Sequence, residues 1–369
     1  MCVHDFNCTQ RIDAVSQATV VNDVRAFDNA CNGCRSRVSS SDRRADASLR
    51  RESTRQGTIP ANLLEYASAV AMSAPRPTLD GTPASQFQLP SGPWHTVWEA
   101  LCACFPVVGA DTWRDRFAHG RVLDAQQQAL DIAAPYRLGA EIYYFREVAD
   151  EPIITAMETV LHADAHIVVA CKPHFLPVVP AGAYVHQTLL TRLVRRFDNP
   201  ALVPLHRIDR DTAGLVLFSA NPATRGIYQA LFRERRIRKH YLAVAPPLPG
   251  LTFPYVHRSR LEPGEPFFRM REGVGEPNSE TVIDVIARGA DMWTYRLEPV
   301  TGRKHQLRVH MAALGAPILH DRFYPELEDQ RPDDPERPLQ LFAHTLAFDD
   351  PITGEPRRFT ATIEPTKSA

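Results

Sequence analysis

With 369 residues and 44% apolar content, the chain is long enough for about two or three domains and able to bury a sizeable core. It holds no run of about eighteen apolar residues, so no membrane span is expected, and its start lacks a charged segment followed by an apolar one, which argues against a secretory signal. The net charge of −1 is not that of a bulk nucleic-acid binder, although binding needs only one basic face.

The first residues mix Arg and Ser in the manner of an organelle transit peptide, but Asp5, Asp13, Asp23 and Asp28 argue against one. The seven cysteines are odd in number and form no regular framework, which predicts a reducing compartment and a cytoplasmic protein. Cys31 and Cys34 make a lone CxxC. Cys2, His4 and Cys8 are badly spaced to complete a zinc site, so free thiols and no metal are expected.

Residues 1–90 read as a poorly ordered extension. The stretch 31–56 has few large apolar groups to offset the entropy of ordering, a short helix fits 61–72, and the Pro-rich run 75–93 reads as a linker. Residues 91–150 predict a small module. Thr96 caps a helix with Val97, Ala100, Leu101 and Cys104 on one face, and a second helix starts near Asp111 with Trp113 and Phe117 inward. Strand-like pieces at 120–130 and 134–147 complete it, with Arg114, Arg116 and Arg121 available for RNA or simply solvated.

Residues 151–369 predict a strand-rich domain. Segments 166–173, 214–220, 240–245, 280–289 and 292–300 read as strands, 222–235 as a helix opened by Pro222, and 305–315 as a helix stopped by Gly315. Strands and helices follow no regular βα alternation, so the fold class is α+β rather than a doubly wound parallel sheet. No internal repeat or phosphate-loop pattern is present.

Three clusters carry the chemistry. His206, Arg207, Asp209, Arg210, Asp211 and Thr212 crowd a turn before an apolar strand, where a rigid edge can hold a reactive group. Arg233, Arg235, Arg236, Arg238 and Lys239 lead into Tyr241, offering phosphate contacts beside a stacking ring. Arg303, Lys304, His305, Arg308 and His310 gather at a helix start. Cations there oppose the helix dipole unless a buried carboxylate or an RNA phosphate lies nearby.

In order and content these clusters resemble the RluA family of pseudouridine synthases. The resemblance rests on 206–209 with Thr212 and Gly214, on Lys239, His240 and Tyr241, and on Thr301, Gly302 and Arg303 through 305–310, with Gly315 and Pro317. It covers about 152–365. Ala213, Lys304, His320 and Pro325 depart from the residues usual in the family. The resemblance implies a mixed, largely antiparallel sheet core with flanking helices. Residues 91–150 are similar to the small α/β, αL-type (ribosomal-protein-like) RNA-binding module that often precedes it.

The implied activity is isomerisation of uridines in structured RNA, ribosomal RNA being favoured and transfer RNA the second choice, by a monomer without cofactor. Asp209 is the implied nucleophile, Arg308 its cationic partner and Tyr241 the ring that stacks on the target base. Arg207 fills the vacated space or holds a phosphate, and His206, Thr212, Lys239, Arg303, His305 and Gln306 are implied substrate or RNA contacts. Two other readings compete. A glycoside hydrolase would need a second carboxylate, Asp211 or Asp321. A non-catalytic RNA-binding or ribosome-assembly protein would use the cationic clusters alone.

Overall fold

The computed structural model describes residues 76–148, 150–329 and 332–365. The expected helix at 61–72 and the Cys31/Cys34 pair lie outside the described residues.

A ribbon of β1 (Thr78–Leu79) and β2 (Thr82–Pro83) precedes the small module. The module contains β3 (Ser85–Gln88), α1 (Val97–Cys104), α2 (Ala110–Ala118), β4 (Val122–Leu123) and β5 (Glu141–Tyr144), with its three strands in the order β3-β5-β4. Helix α1 starts at Thr96 through a capping box: the Thr96 hydroxyl accepts from the Glu99 N–H, and the Glu99 carboxylate accepts from the Thr96 N–H. Trp113 and Phe117 of α2 pack with Leu101, Phe105 and Tyr144 in a shared core.

The linker reading of 75–93 is corrected from Arg76 onward. Strand β3 pairs antiparallel with β5, and Phe87 meets Phe105 edge-on at 4.8 Å. The prolines that suggested a linker stand outside β3, at Pro83 and Pro90, and the four residues of β3 suffice for an edge strand.

The larger domain is one eleven-stranded sheet. Its strands are β6 (Thr159–Ala163), β7 (Ile167–Lys172), β8 (Val203–Pro204), β9 (Ala213–Ser219), β10 (Arg238–Ala245), β11 (Tyr255–Pro263), β12 (Met270–Gly273), β13 (Ser279–Arg288), β14 (Trp293–Pro299), β15 (Leu341–Asp349) and β16 (Pro356–Thr360). The main path runs β12-β11-β13-β14-β10-β15-β9-β7-β6, with β16 beside β15 and β8 beside β9. Every pairing is antiparallel except β9 with β15, so the α+β, largely antiparallel expectation is met.

Strands β7 and β9 are buried along their whole length, which explains their unbroken apolar runs. Val168, Ala170, Val216 and Phe218 face α3 (Leu189–Phe197). Their neighbours Ile167, Val169, Leu215 and Leu217 face α4 (Pro222–Arg233) on the other side. A third cluster packs Leu307 and Met311 of α5 (Gln306–Ala313) on Ala243, Ala245 and Leu297. Tyr241 touches both the α3 cluster and the α5 cluster, so the site described below lies where they meet.

The parallel contact between β9 and β15 brings backbone very close to Gly214, which has φ 115°. A Cβ there would stand 2.3 Å from the Ala343 carbonyl oxygen. Gly214→Ala is therefore expected to cost about 3 kcal/mol or more. Gly315→Ala, at φ 82° with nothing within 4 Å of the added carbon, should cost only about 1–2 kcal/mol of backbone strain. Urea unfolding of the two variants checks the difference.

Candidate active site

Asp209 sits in the tight turn that feeds β9, with the Thr212 N–H donating to its carbonyl at 3.2 Å. The turn is tied from behind. Lys172, wholly buried at the end of β7, donates to the carbonyls of Pro173 and Arg210, each at 2.9 Å. His174 Nδ1 donates to the Asp211 carbonyl at 2.6 Å. Burial brings the Lys172 ammonium down to about 7, with Asp211 partly offsetting it.

Arg308 reaches Asp209 from α5. Its Nη1 donates to Asp209 Oδ2 at 3.4 Å, while Nε and Nη2 make a two-pronged pair with Asp321 at 2.8 and 2.6 Å. The Arg308 and Asp321 side chains are 2% and 0% exposed, whereas Asp209 keeps 29% and stays open to a reactant. Desolvation lowers the guanidinium pKa, but Asp321, its hydrogen bonds and Asp209 outweigh it, so the group is fixed as a cation. Asp321 is the buried carboxylate that cations at this helix start call for. The sequence offered that hint, yet there Asp321 reads only as a candidate second carboxylate of a hydrolase.

The 301–306 loop holds this arrangement. His305, in left-handed conformation at φ 54°, opens α5. Gln306 accepts from the Thr301 hydroxyl and the Arg303 N–H, and donates to the Glu280 carbonyl and the Thr281 hydroxyl. The Tyr324 hydroxyl accepts from the Met270 N–H at 2.7 Å and lies 2.9 Å from His305 Nδ1. Burial raises the Tyr324 phenol to about 12, so it keeps its proton. His305 Nε2 lies 4.0 Å from Asp209 Oδ1.

Burial pushes the Asp209 carboxyl up, but its electrostatic interactions with His305, Arg308 and Lys304 and the Arg308 hydrogen bond prevail and lower its pKa. Burial also takes His305 down to about 3, so at neutral pH it contributes an N–H dipole. The full charges facing Asp209 are then those of Arg308 and Lys304.

Tyr241 stands at the β-bulge of β10, between Leu297 of β14 and Ala343 of β15. Burial pushes its phenol well above the usual range and the charge of Asp209 adds to that, so the ring is present as the un-ionised phenol. Phe323 lies over the Arg308 guanidinium at 4.7 Å.

Three of the residues expected to contact RNA make internal contacts in the fold. His206 Nε2 accepts from the Leu217 N–H at 3.1 Å, and its ring stacks on Phe232. Thr212 is 2% exposed, and Gln306 has all its hydrogen-bonding capacity engaged within the loop. Arg207 and Arg303 remain on the surface, and Lys239 is half-buried 3.8 Å from where a Cβ of Gly302 would be.

Among the described residues, His257, Glu272 and His310 could hold a metal, their ligand atoms lying within 4.8 Å of one another. His310 Nε2, however, already meets the Ser259 and Ser279 hydroxyls and Nδ1 the Thr281 hydroxyl, while His257 bonds Glu272. The cluster therefore reads as a satisfied polar network that ties α5 to β11, β12 and β13. No helix of the described residues is long and apolar enough to cross a membrane.

The family described as RNA pseudouridylate synthase matches residues 166–313, a span that includes Asp209, Tyr241 and Arg308. A Pasteurella multocida protein named dual-specificity RNA pseudouridine synthase RluA is 34% identical over 215 residues, or 55% of this chain and 91% of its own. An Escherichia coli K12 protein of the same name is 36% identical over 212 residues, again 55% and 91%. A solved human structure, RNA pseudouridylate synthase domain containing 1, aligns at 26% identity and TM-score 0.46 over 57% of this chain and 85% of its own.

Asp321→Asn leaves Arg308 buried with half its anionic partnership gone, and is expected to cost about 3–5 kcal/mol. Asp333→Asn breaks an ion pair with Arg210 in which each side chain is 32% exposed, and should cost less than about 1 kcal/mol. Chemical denaturation of both variants tests the contrast.

Proposed function

The chain belongs to the RluA family of RNA pseudouridine synthases, and from that premise we propose that Asp209 is the nucleophile with which it isomerises uridine in RNA. The observation that carries this reading is a part-exposed carboxylate whose pKa is lowered and which faces a guanidinium locked in place by a second, fully buried carboxylate.

Isomerisation breaks the bond from ribose C1′ to N1, turns the uracil, and joins C1′ to C5. The C5 proton leaves and N1 takes one up, so atoms and electrons balance without an oxidant. An ionised carboxylate can add to C1′ or to the uracil ring, and either route frees the base to turn. Arg308 keeps Asp209 ionised and aimed. Tyr241, an un-ionised phenol beside Asp209, serves as a flat support for the base. A uridine in folded RNA must first leave its stack. Arg207, two residues before Asp209 and exposed, is placed to enter the gap or meet a phosphate, with Lys239 and Arg303 as further cationic contacts.

The competing hydrolase lacks a second working carboxylate. Asp321 is fully buried and spent on Arg308, and Asp211 pairs with Arg210 at 3.0 Å. Ribosomal RNA is the favoured substrate and transfer RNA the second. Pseudouridine mapping of both RNA pools, with and without the gene, identifies the uridine.

Two assays test the roles. On RNA carrying tritium at C5 of uridine, Asp209→Asn should lose at least about a thousandfold in tritium release. Undiminished release from that variant removes Asp209 from the role. The second assay follows pH. Because the Asp209 pKa is depressed and the nucleophile must be ionised, the acid limb of kcat/KM should lie below the ordinary carboxylate range. Arg308→Gln removes the stabilising cation, raises that pKa and should move the limb to higher pH.

A further inference from the structure

The turn between β11 and β12 carries two adjacent phenylalanines. Phe267 is 41% exposed and Phe268 half-buried, with ring centres 5.6 Å apart. Phe268 meets Phe323 at 5.3 Å, and Phe323 covers Arg308 at 4.7 Å and neighbours His305 at 5.6 Å. Three rings thus run in unbroken contact from an exposed turn to the guanidinium that faces Asp209.

Phe267 leaves apolar area in water that a stacked base would cover. This turn is also pinned. Arg269 donates to the Pro325 carbonyl at 2.7 Å and lies over the Tyr324 ring at 5.0 Å, and the Met270 N–H donates to the Tyr324 hydroxyl. The two residues that follow the phenylalanines are therefore anchored to the segment bearing Asp321. The rings form a fixed platform with the Arg269 guanidinium beside it, while Arg271 pairs with Glu262 and Arg322 with Asp333.

Fixed aromatic faces beside arginines suit unstacked bases of single-stranded RNA. Turning one uridine out of its stack strips its neighbours of a stacking partner. The geometry points to a stacking subsite, formed by Phe267 and Phe268 and continued by Phe323, for the base of a nucleotide adjoining the target uridine. This subsite rests on the Asp209-centred reading above, because it takes its place along the strand from that site.

The test uses the full chain and a synthetic stem-loop RNA around a uridine mapped as modified. Phe268→Leu and the double Phe267→Leu, Phe268→Leu variant keep apolar volume but lose the stacking face. KM should rise roughly five- to a hundredfold, the size of one base–aromatic stack, with kcat within about twofold. With unaltered protein, an RNA made abasic at one of the two flanking nucleotides should show the same rise, and the leucine variants should not worsen it further. An unchanged KM in the variants overturns the subsite. So does a fall in kcat alone, or indifference of the unaltered protein to abasic sites at both flanks. The abasic arm does not depend on a variant folding. Failure here with Asp209→Asn still inactive removes the subsite and leaves the nucleophile, whereas an active Asp209→Asn removes the nucleophile itself.

Discussion

Arg308 is a fully buried cation with three nitrogens to satisfy and two carboxylates to satisfy them. Asp321 takes Nε and Nη2 in a fork, which leaves Nη1 directed at Asp209. An arginine so deep in a protein is tolerable only when paired, and the fork also fixes the guanidinium plane. The last donor is therefore aimed by the fold rather than by the reactant. The rest of the site follows from that constraint. Helix α5 must start where it does, so His305 takes a left-handed conformation and Gln306 binds the loop from both sides. Asp321 must lie inside, so the segment after α5 is tied to β12 through Tyr324.

The opposite wall is built by the sheet. The parallel contact at Gly214 sets where β9 begins, and with it where the Asp209 turn ends. Lys172 fixes that turn through carbonyls of Pro173 and Arg210, reaching from β7. Tyr241 sits on β10, one strand beyond β15, where the clusters under α3 and α5 meet. Asp209, Arg308 and Tyr241 thus come from three separate parts of the chain.

Much of this was legible in the sequence, and the omissions have physical causes. The long apolar strands and the capped helices at Thr96 and Asn221 are local signals, and they stand close to where spacing put them. The charged turns at 206–212 and 303–310 mark the site because so much charge in so few residues demands partners. The pairing itself was not legible: Asp321, thirteen residues from Arg308, stood out only as a candidate second carboxylate of a hydrolase. His206, expected to contact RNA, has its Nε2 engaged by the Leu217 N–H eleven residues on, a contact that spacing does not show. Prolines misled at 75–93, where they border an edge strand.

The account stands or falls on a covalent role for Asp209, and a trapped adduct addresses that directly. Fluorine at C5 of the target uridine cannot leave as a proton does, so an Asp209 that has added to the uracil ring stays bonded to the RNA, whereas addition at C1′ would release it when C1′ joins C5. Intact-mass measurement of the protein after incubation with 5-fluorouridine RNA should show one RNA-bearing species. Peptide mapping should place the linkage at Asp209, and Asp209→Asn should form none. An adduct at another residue, or one formed equally by Asp209→Asn, would contradict the account.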